Sequence, residues 1–265
     1  GYRNRPERRL HVAALLEMLD IPFVGAGPES MALCHDKALV TAAAADLGIP
    51  VPATQVMPLN APARSLDVPY PLIIKLNDES GSTGITDQSV VFNEDDARLQ
   101  MARLREQFPG RWVLAQHFLT GMEVTVGVVG NADTGFLALS PIEVNYDGLG
   151  GQGPAILTID SKTRPESEQW CAIRLRAAPL NESTISLLVG QSRQLFTRLG
   201  CRDYARFDFR ADEGNIFRLI DANAHPVLEP GSMLTAMAGV ASMSYSELLA
   251  EVIRAAERRI GGSAG

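Results

Sequence analysis

The sequence predicts an α+β chain, and three observations carry that prediction. Helix-like and strand-like runs lack the regular βα alternation of a doubly wound parallel sheet. Apolar strand-like runs cluster through the middle of the chain. Near the end, two alternating strands flank Asp212-Glu213-Gly214-Asn215, a strong hairpin signal.

The totals bound the rest. The 265 residues suffice for one large or two medium domains. Apolar residues make up 46% and charged residues 21%, so a sizeable core can form without disulfides. A net charge of −7 excludes a general nucleic-acid binder, which needs a basic face. It does not exclude phosphate, because a local cluster of Lys, Arg and metal can reverse the sign. The three cysteines, Cys34, Cys171 and Cys201, form no CxxC, and read as reduced packing thiols of a cytoplasmic protein. No apolar run is long enough to span a membrane, and the polar, basic start (residues 1–9) is no signal peptide.

In chain order, residues 9–20 have helical spacing and should stop before Ile21-Pro22. Ile21–Val24 reads as a short strand, and Gly25–Pro28 as a turn. Residues 29–47 read as one or two helices, stopped by Gly48 and Pro50. Val68–Lys75 is an apolar strand ending at a lysine. Asn77–Gly84 is turn-like, and Ser89–Phe92 strand-like. Asn93 caps a helix to Phe108, and Trp112–His117 and Val124–Val129 alternate as strands. Asp147–Gly153 reads as a mobile glycine loop. Asn181–Gly200 is an amphipathic helix. Tyr204–Arg210 and Ile216–Asn223 form the hairpin, with Phe207, Phe209, Leu219 and Ile220 as its core. A helix over residues 245–260 and a Gly/Ser tail close the chain.

The hairpin carries chemistry. Side chains two apart on a strand share a face, which pairs Arg206 with Asp208 and Asp221 with Asn223. If the strands pair, two carboxylates and an amide oxygen converge, a hard donor set suited to Mg²⁺. The arginine beside them could hold a phosphoryl group or an oxyanion. The same spacing also fits a solvated face with salt bridges. The segment LIIKLNDESGSTGI is the second such place. A lysine at a strand rim can reach a phosphate, and the small residues Ser80–Gly84 admit close backbone approach. A plain turn would look similar.

Other matches fail on context. Gly148–Gly153 fits GxGxxG, but Pro154 and the strand-like AILTID follow it, so the required helix is missing. The four histidines lack zinc spacing and read as structural, with His117 and His225 the two that could do more.

Taken together, these segments resemble the ATP-grasp superfamily and, within it, the D-alanine–D-alanine ligase-like proteins. The match runs from about Leu10 to Ala255. It is carried in order by LLEMLDIPFVGAGPESMALCHDKALV, LIIKLNDESGSTGI, VLAQHFLTGMEVTVGVVGN, CRDYARFDFR and DANAHP. The resemblance implies an ATP-grasp fold, two α+β subdomains clasping ATP. Residues 35–119 would be the smaller subdomain and 120–265 the larger, with the metal site. Residues 1–34 would be the remnant of an N-terminal domain that begins further upstream in the family.

By position, Lys37 and Lys75 match the lysines on the ATP phosphates, and Ser82 the phosphate-loop serine. Gln116, His117, Phe118 and Leu119 match the adenine hinge, and Glu123 the acid on the ribose. Lys162 matches a lysine on the closing loop. Asp208, Asp221 and Asn223 match the ligands of two Mg²⁺ ions, with Mn²⁺ as an alternative. Arg206 matches the arginine that stabilises the tetrahedral intermediate, and Ser232 and Met233 the second substrate's carboxylate site. The implied activity is ATP-dependent amide formation between two small amino acids through an acylphosphate, with homodimers the family habit.

Three departures qualify the match. Gln116 stands where an acid is commoner, Ser80-Gly81 reverses the usual order, and Val227 stands where glycine usually follows the proline. The altered segment from Ala224 to Met233 keeps open a biosynthetic ligase for other amino acids or a peptide, and the family's further upstream stretch keeps open a nucleotide-binding module without turnover.

Overall fold

The structure, a computed structural model, describes residues 9–60, 66–79, 81–151 and 153–262. Ser80 and Gln152 lie outside them, as do most of the basic start and the last residues of the tail.

The chain opens with helices α1 (Arg9–Met18), α2 (Pro28–His35) and α3 (Lys37–Asp46). Asp36 ends α2 and caps α3, its carboxylate accepting from Leu39 N at 3.0 Å. That one residue turns the expected run into two helices and sets Lys37 at the first turn of the second. No strand forms over Ile21–Val24. Pro22 cannot donate to a ladder, and neighbouring groups are taken by side chains: Arg259 donates to Phe23 O and Gly25 N donates to Asp203.

Strands β1 (Thr54–Pro58), β2 (Leu72–Leu76), β3 (Val90–Val91) and β4 (Trp112–His117) form an antiparallel sheet in the order β1-β4-β2-β3. Helix α4 (Glu94–Gln107), capped by Asn93, covers it, and Leu72, Ile74, Leu76, Ala97 and Leu104 fill the space between.

A second antiparallel sheet is built from β5 (Glu123–Asn131), β6 (Gly135–Ala138), β7 (Ile142–Asn145), β8 (Arg174–Ala177), β9 (Asp203–Ala211) and β10 (Phe217–Asn223). Its order is β10-β9-β5-β7-β8, with β6 paired to β5. Short helices α5 (Asp160–Thr163) and α6 (Glu168–Ala172) precede β8, and α7 (Glu182–Arg198) follows it. Helices α8 (Met233–Val240) and α9 (Tyr245–Gly262) end the chain. The expected strand after Pro154 does not form, and Asp160 there starts α5.

β5 is buried along its whole length because both faces of this sheet are covered. On one face Val124, Val126 and Val128 meet Phe196 of α7 and Phe207 and Phe209 of β9. Val40 and Ala44 of α3 join the same core. On the other, Val129 and Ile142 meet Leu234, Met237, Leu248 and Val252.

Candidate active site

The hairpin pairs in the register that brings its four polar groups together. Asp221 lies directly across from Asp208, and Asn223 across from Arg206. A bulge between Leu219 and Asp221 makes this possible. Leu219 and Asp221 are two apart and would share a face of a regular strand. The extra residue sends Leu219 into the core and Asp221 to the other side. Ile220, expected in the core, instead lines the cavity described next.

That cavity, of about 1190 Å³, is walled by both sheets. Lys37, Lys75, Ser82, Gln116, His117, Phe118, Leu119, Glu123, Lys162, Arg206, Asp208, Asp221, Asn223, Ser232 and Met233 all line it. Every residue that the sequence marked therefore reaches one space, although they come from α3, both sheets, α5 and α8.

The floor is charged and buried. Arg206 grips Asp208 through two bonds, Nε to Oδ1 at 3.0 Å and a terminal nitrogen to Oδ2 at 2.9 Å. Burial opposes the Arg206 charge, but Asp208, Asp221 and Glu123 around it hold its pKa above the ordinary arginine value. Burial, then the nearby Lys37, pushes Lys75 down to about 8 against the pull of Asp221, Glu123 and Asp208. Lys162 is lowered by burial and by Arg206. Burial raises Glu123, against Arg210 and the Tyr146 hydroxyl, which donates to Oε2 at 2.8 Å. Arg210 also donates to Ala155 O and stacks 4.9 Å from the Phe118 ring centre, tying the hinge to the floor.

This donor set fits a hard divalent cation. Asp208 and Asp221 occupy directly opposed positions, and both carboxylates sustain the charge of Arg206, which pairs with Asp208. The Asp221 carboxylate makes no hydrogen bond among the described residues, and Asn223 offers an amide oxygen that accepts from His225 N at 2.9 Å. Across from Asp208, the buried Thr125 hydroxyl has no partner among the described residues. No group of three His, Cys, Asp or Glu suited to a metal occurs among the described residues, so the third ligand would have to be the amide.

The Gln116 amide is oriented by its neighbours. Thr54 Oγ1 donates to Pro52 O at 2.9 Å, so its proton is committed. It can then only accept from Gln116 Nε2, at 3.1 Å. Gln116 Oε1 is left to accept from a ligand amino group. Ser82 sits in the left-handed region, at φ +64, between Gly81 and Gly84, which share that conformation. Its hydroxyl donates to Leu157 O at 2.7 Å, which fastens the small-residue loop to the segment before Lys162. Ser232 caps α8 by accepting from Thr235 N. Thr235 Oγ1 donates to Glu229 O, so the Ser232 hydroxyl donates to Thr235.

Comparisons with known proteins give the family and the fold. A family model described as D-ala D-ala ligase C-terminus matches residues 46–254. This chain belongs to that family. D-alanine–D-alanine ligase of Syntrophotalea carbinolica is 29% identical over 94% of the chain and 74% of its own length. The enzyme of Bordetella petrii is 27% identical over 92% and 71%. A crystal structure of the Bacillus anthracis ligase complexed with ATP superimposes with a TM-score of 0.74 at 20% identity, covering 96% of this chain and 76% of that one. The chain therefore has the fold of those ATP-grasp ligases.

Within the ligase family cavity, sequence reasoning missed several walls. Tyr146 and Arg210 hold Glu123, and nothing in their spacing announced it. Tyr204 bonds His225 at 2.7 Å beside Asn223, and both line the cavity. Tyr204 lies two residues before Arg206 on β9, so strand alternation could have found it. Trp170, Ile173 and Leu175 supply an apolar rim from α6 and β8, elements too short to read.

Proposed function

We propose that this chain is an ATP-dependent ligase that joins two amino acids as an amide, with D-alanine on both sides as in its named relatives. One observation carries the reading: Lys37, Lys75, Lys162 and Arg206 meet Glu123, Asp208 and Asp221 in a single cavity of about 1190 Å³. Lysines and an arginine gathered beside a hard donor set suit a polyphosphate with its metal. The names of the relatives favour this over other amino-acid pairs and over a module without turnover.

In this reading, residues 35–119 and 120–265 are the jaws. α3 belongs to the first jaw by sequence but contributes Val40 and Ala44 to the core of the second. Gln116 Oε1 accepts from the adenine amino group, and the chain at His117, Phe118 and Leu119 flanks the ring. Glu123, held on one oxygen by Tyr146 and Arg210, offers the other to the ribose. Lys37 and Lys75 neutralise phosphate charge, and the Ser82 loop lends backbone donors. Lys162 completes the cluster from above. Asp208, Asp221 and Asn223 would hold Mg²⁺, whose chemistry is to neutralise the transferring phosphates.

The first carboxylate attacks the γ-phosphorus, and ADP leaves. The amine of the second amino acid attacks the resulting acyl carbon, and inorganic phosphate departs. Arg206 faces the oxyanion that develops at that carbon. Ser232 and Met233 mark the start of α8, where the second carboxylate would sit against backbone N–H groups.

Phosphate release from MgATP, measured with D- and L-amino acids alone and in pairs, tests the reading. We expect release with D-alanine that disappears in Lys75→Ala. Release with another pair only would keep the chemistry and replace the substrate. MgATP binding without any amide product would end the ligase reading.

A further inference from the structure

Two of the cysteines meet although they lie 167 positions apart. Cys34, in the last turn of α2, and Cys201, just before β9, bring their sulfurs to 3.9 Å. Both are buried, at 7% and 8% exposure. Ser30 Oγ also donates to Cys201 Sγ, at 3.5 Å. The seam around them is already fastened without covalent help: Gly25 N donates to Asp203 at 2.8 Å, and Arg202 donates to Gly25 O at 2.7 Å. The sulfurs therefore cannot drift far apart. Closing to the length of a disulfide, about 2.05 Å, needs a movement of roughly 2 Å, within reach of side-chain rotation and a small helix shift.

Access is one-sided. Cys34 lines the wall of the large cavity, and Cys201 does not. A small reagent that enters the cavity meets Cys34 first, and nucleotide filling the cavity blocks the route.

We infer that Cys34 and Cys201 form a reversible thiol–disulfide pair, reached through the cavity, whose oxidation staples α2 to the strand that carries Arg206 and Asp208. The oxidant is a small disulfide. The neighbouring Cys201 thiol and burial push the Cys34 pKa up, so reaction runs through its small ionised fraction: that thiolate attacks one sulfur of the small disulfide and releases the first small thiol. Cys201 then attacks the Cys34 sulfur and releases the second. Two protein thiols and one small disulfide become one protein disulfide and two small thiols, so electrons and protons balance. The staple closes a long loop and constrains the unfolded chain, so the oxidised form melts higher. It also pulls the last turn of α2, three residues from Lys37, towards β9.

The inference goes beyond the ligase reading, and its test does not need turnover. Cys171 is exposed, so Cys171→Ser is the background in the full chain. That protein is treated with oxidised glutathione and followed by intact mass, by peptide mapping and by thermal melting. We expect a loss of two hydrogens, a linked Cys34–Cys201 peptide, a melting temperature raised by several degrees, and full reversal by dithiothreitol. Adding Cys34→Ser should abolish the mass loss. A stable glutathione adduct on one cysteine without the internal bond would overturn the inference, as would persistence of both thiols. Saturating MgATP, with binding checked by calorimetry, should slow the bond at least several-fold. An unchanged rate with nucleotide bound would contradict entry through the cavity, whereas absence of binding would count against the proposed function alone.

Discussion

At the scale of single residues, the site is a set of charges kept close by burial. Lys75 is the most telling. Its folded pKa, lowered to about 8, means the folded state disfavours its charge. That cost to stability is present below pH 8 and is relieved as pH rises from 8 towards the free-lysine value. Phosphate favours the charge, so the sign for binding is opposite. MgATP affinity should be flat below pH 8 and then fall by up to about tenfold per pH unit, in calorimetry from pH 7 to 9.5. Lys75→Arg should remove that fall, because arginine stays charged. Arg206 gives a second expectation. Its loss in Arg206→Ala should lower kcat by about 100- to 1000-fold, with MgATP binding much less affected, in steady-state kinetics beside calorimetry. Unchanged kcat would remove Arg206 from the chemistry. Arg206 was legible because a two-residue repeat on a strand fixes which side chains share a face, and Lys75 because it ends an apolar run. Their partners were not. Nothing local to Tyr146 or Arg210 says that both will close on Glu123, since β5, β7 and β9 meet only after the sheet has formed.

At the scale of elements, strong local signals survived folding and weak ones did not. The β9–β10 hairpin formed where its turn predicted, with Asp212 accepting from Gly214 N and Ile216 N. The bulge at Ile220 was invisible, because a strand one residue out of register has the same composition as a regular one. Strands β6 and β8 were missed for a different reason. Each has four residues, too few to show a period, and β8 reads Arg-Leu-Arg-Ala with no apolar run. α8 was hidden by its uniformly apolar sequence, which has no polar face to set a period. That helix gives the expectation at this scale. Gly127 of β5 faces it so closely that an added Cβ would meet Leu234 Cδ2 at 2.6 Å and Met237 Sδ at 2.9 Å. Gly127→Ala should force the ends of the Leu234 and Met237 side chains to shift and cost about 1 kcal/mol in denaturant unfolding. It should also raise KM for the second amino acid more than for ATP, because Ser232 and Met233 begin that helix.

At the scale of the whole molecule, one buried carboxylate joins parts that are remote in sequence. Asp203 is fully buried and accepts from Arg259 on α9 at 2.9 and 2.8 Å, from Asn131 at the end of β5, and from Gly25 before α2. Removing one partner of such a pair leaves the other charge uncompensated. Asp203→Asn should cost on the order of 3 kcal/mol in urea unfolding. A change near zero would show that the seam does not need the charge. No helix among the described residues is long and apolar enough to cross a membrane. The cavity itself explains why a linear reading reached the site. Its polar groups lie on strands and turns that the sequence makes explicit, whereas the apolar wall comes from short elements with no local signature.

The central claim is that a carboxylate is activated by phosphoryl transfer in this cavity. It predicts a specific atom transfer. With D-alanine carrying ¹⁸O in its carboxylate, one labelled oxygen should appear in the inorganic phosphate released from MgATP, and an equal amount of dipeptide should form. Phosphate released without label, or labelled phosphate without dipeptide, would contradict the acylphosphate route and the role assigned to Arg206 and the lysines around it.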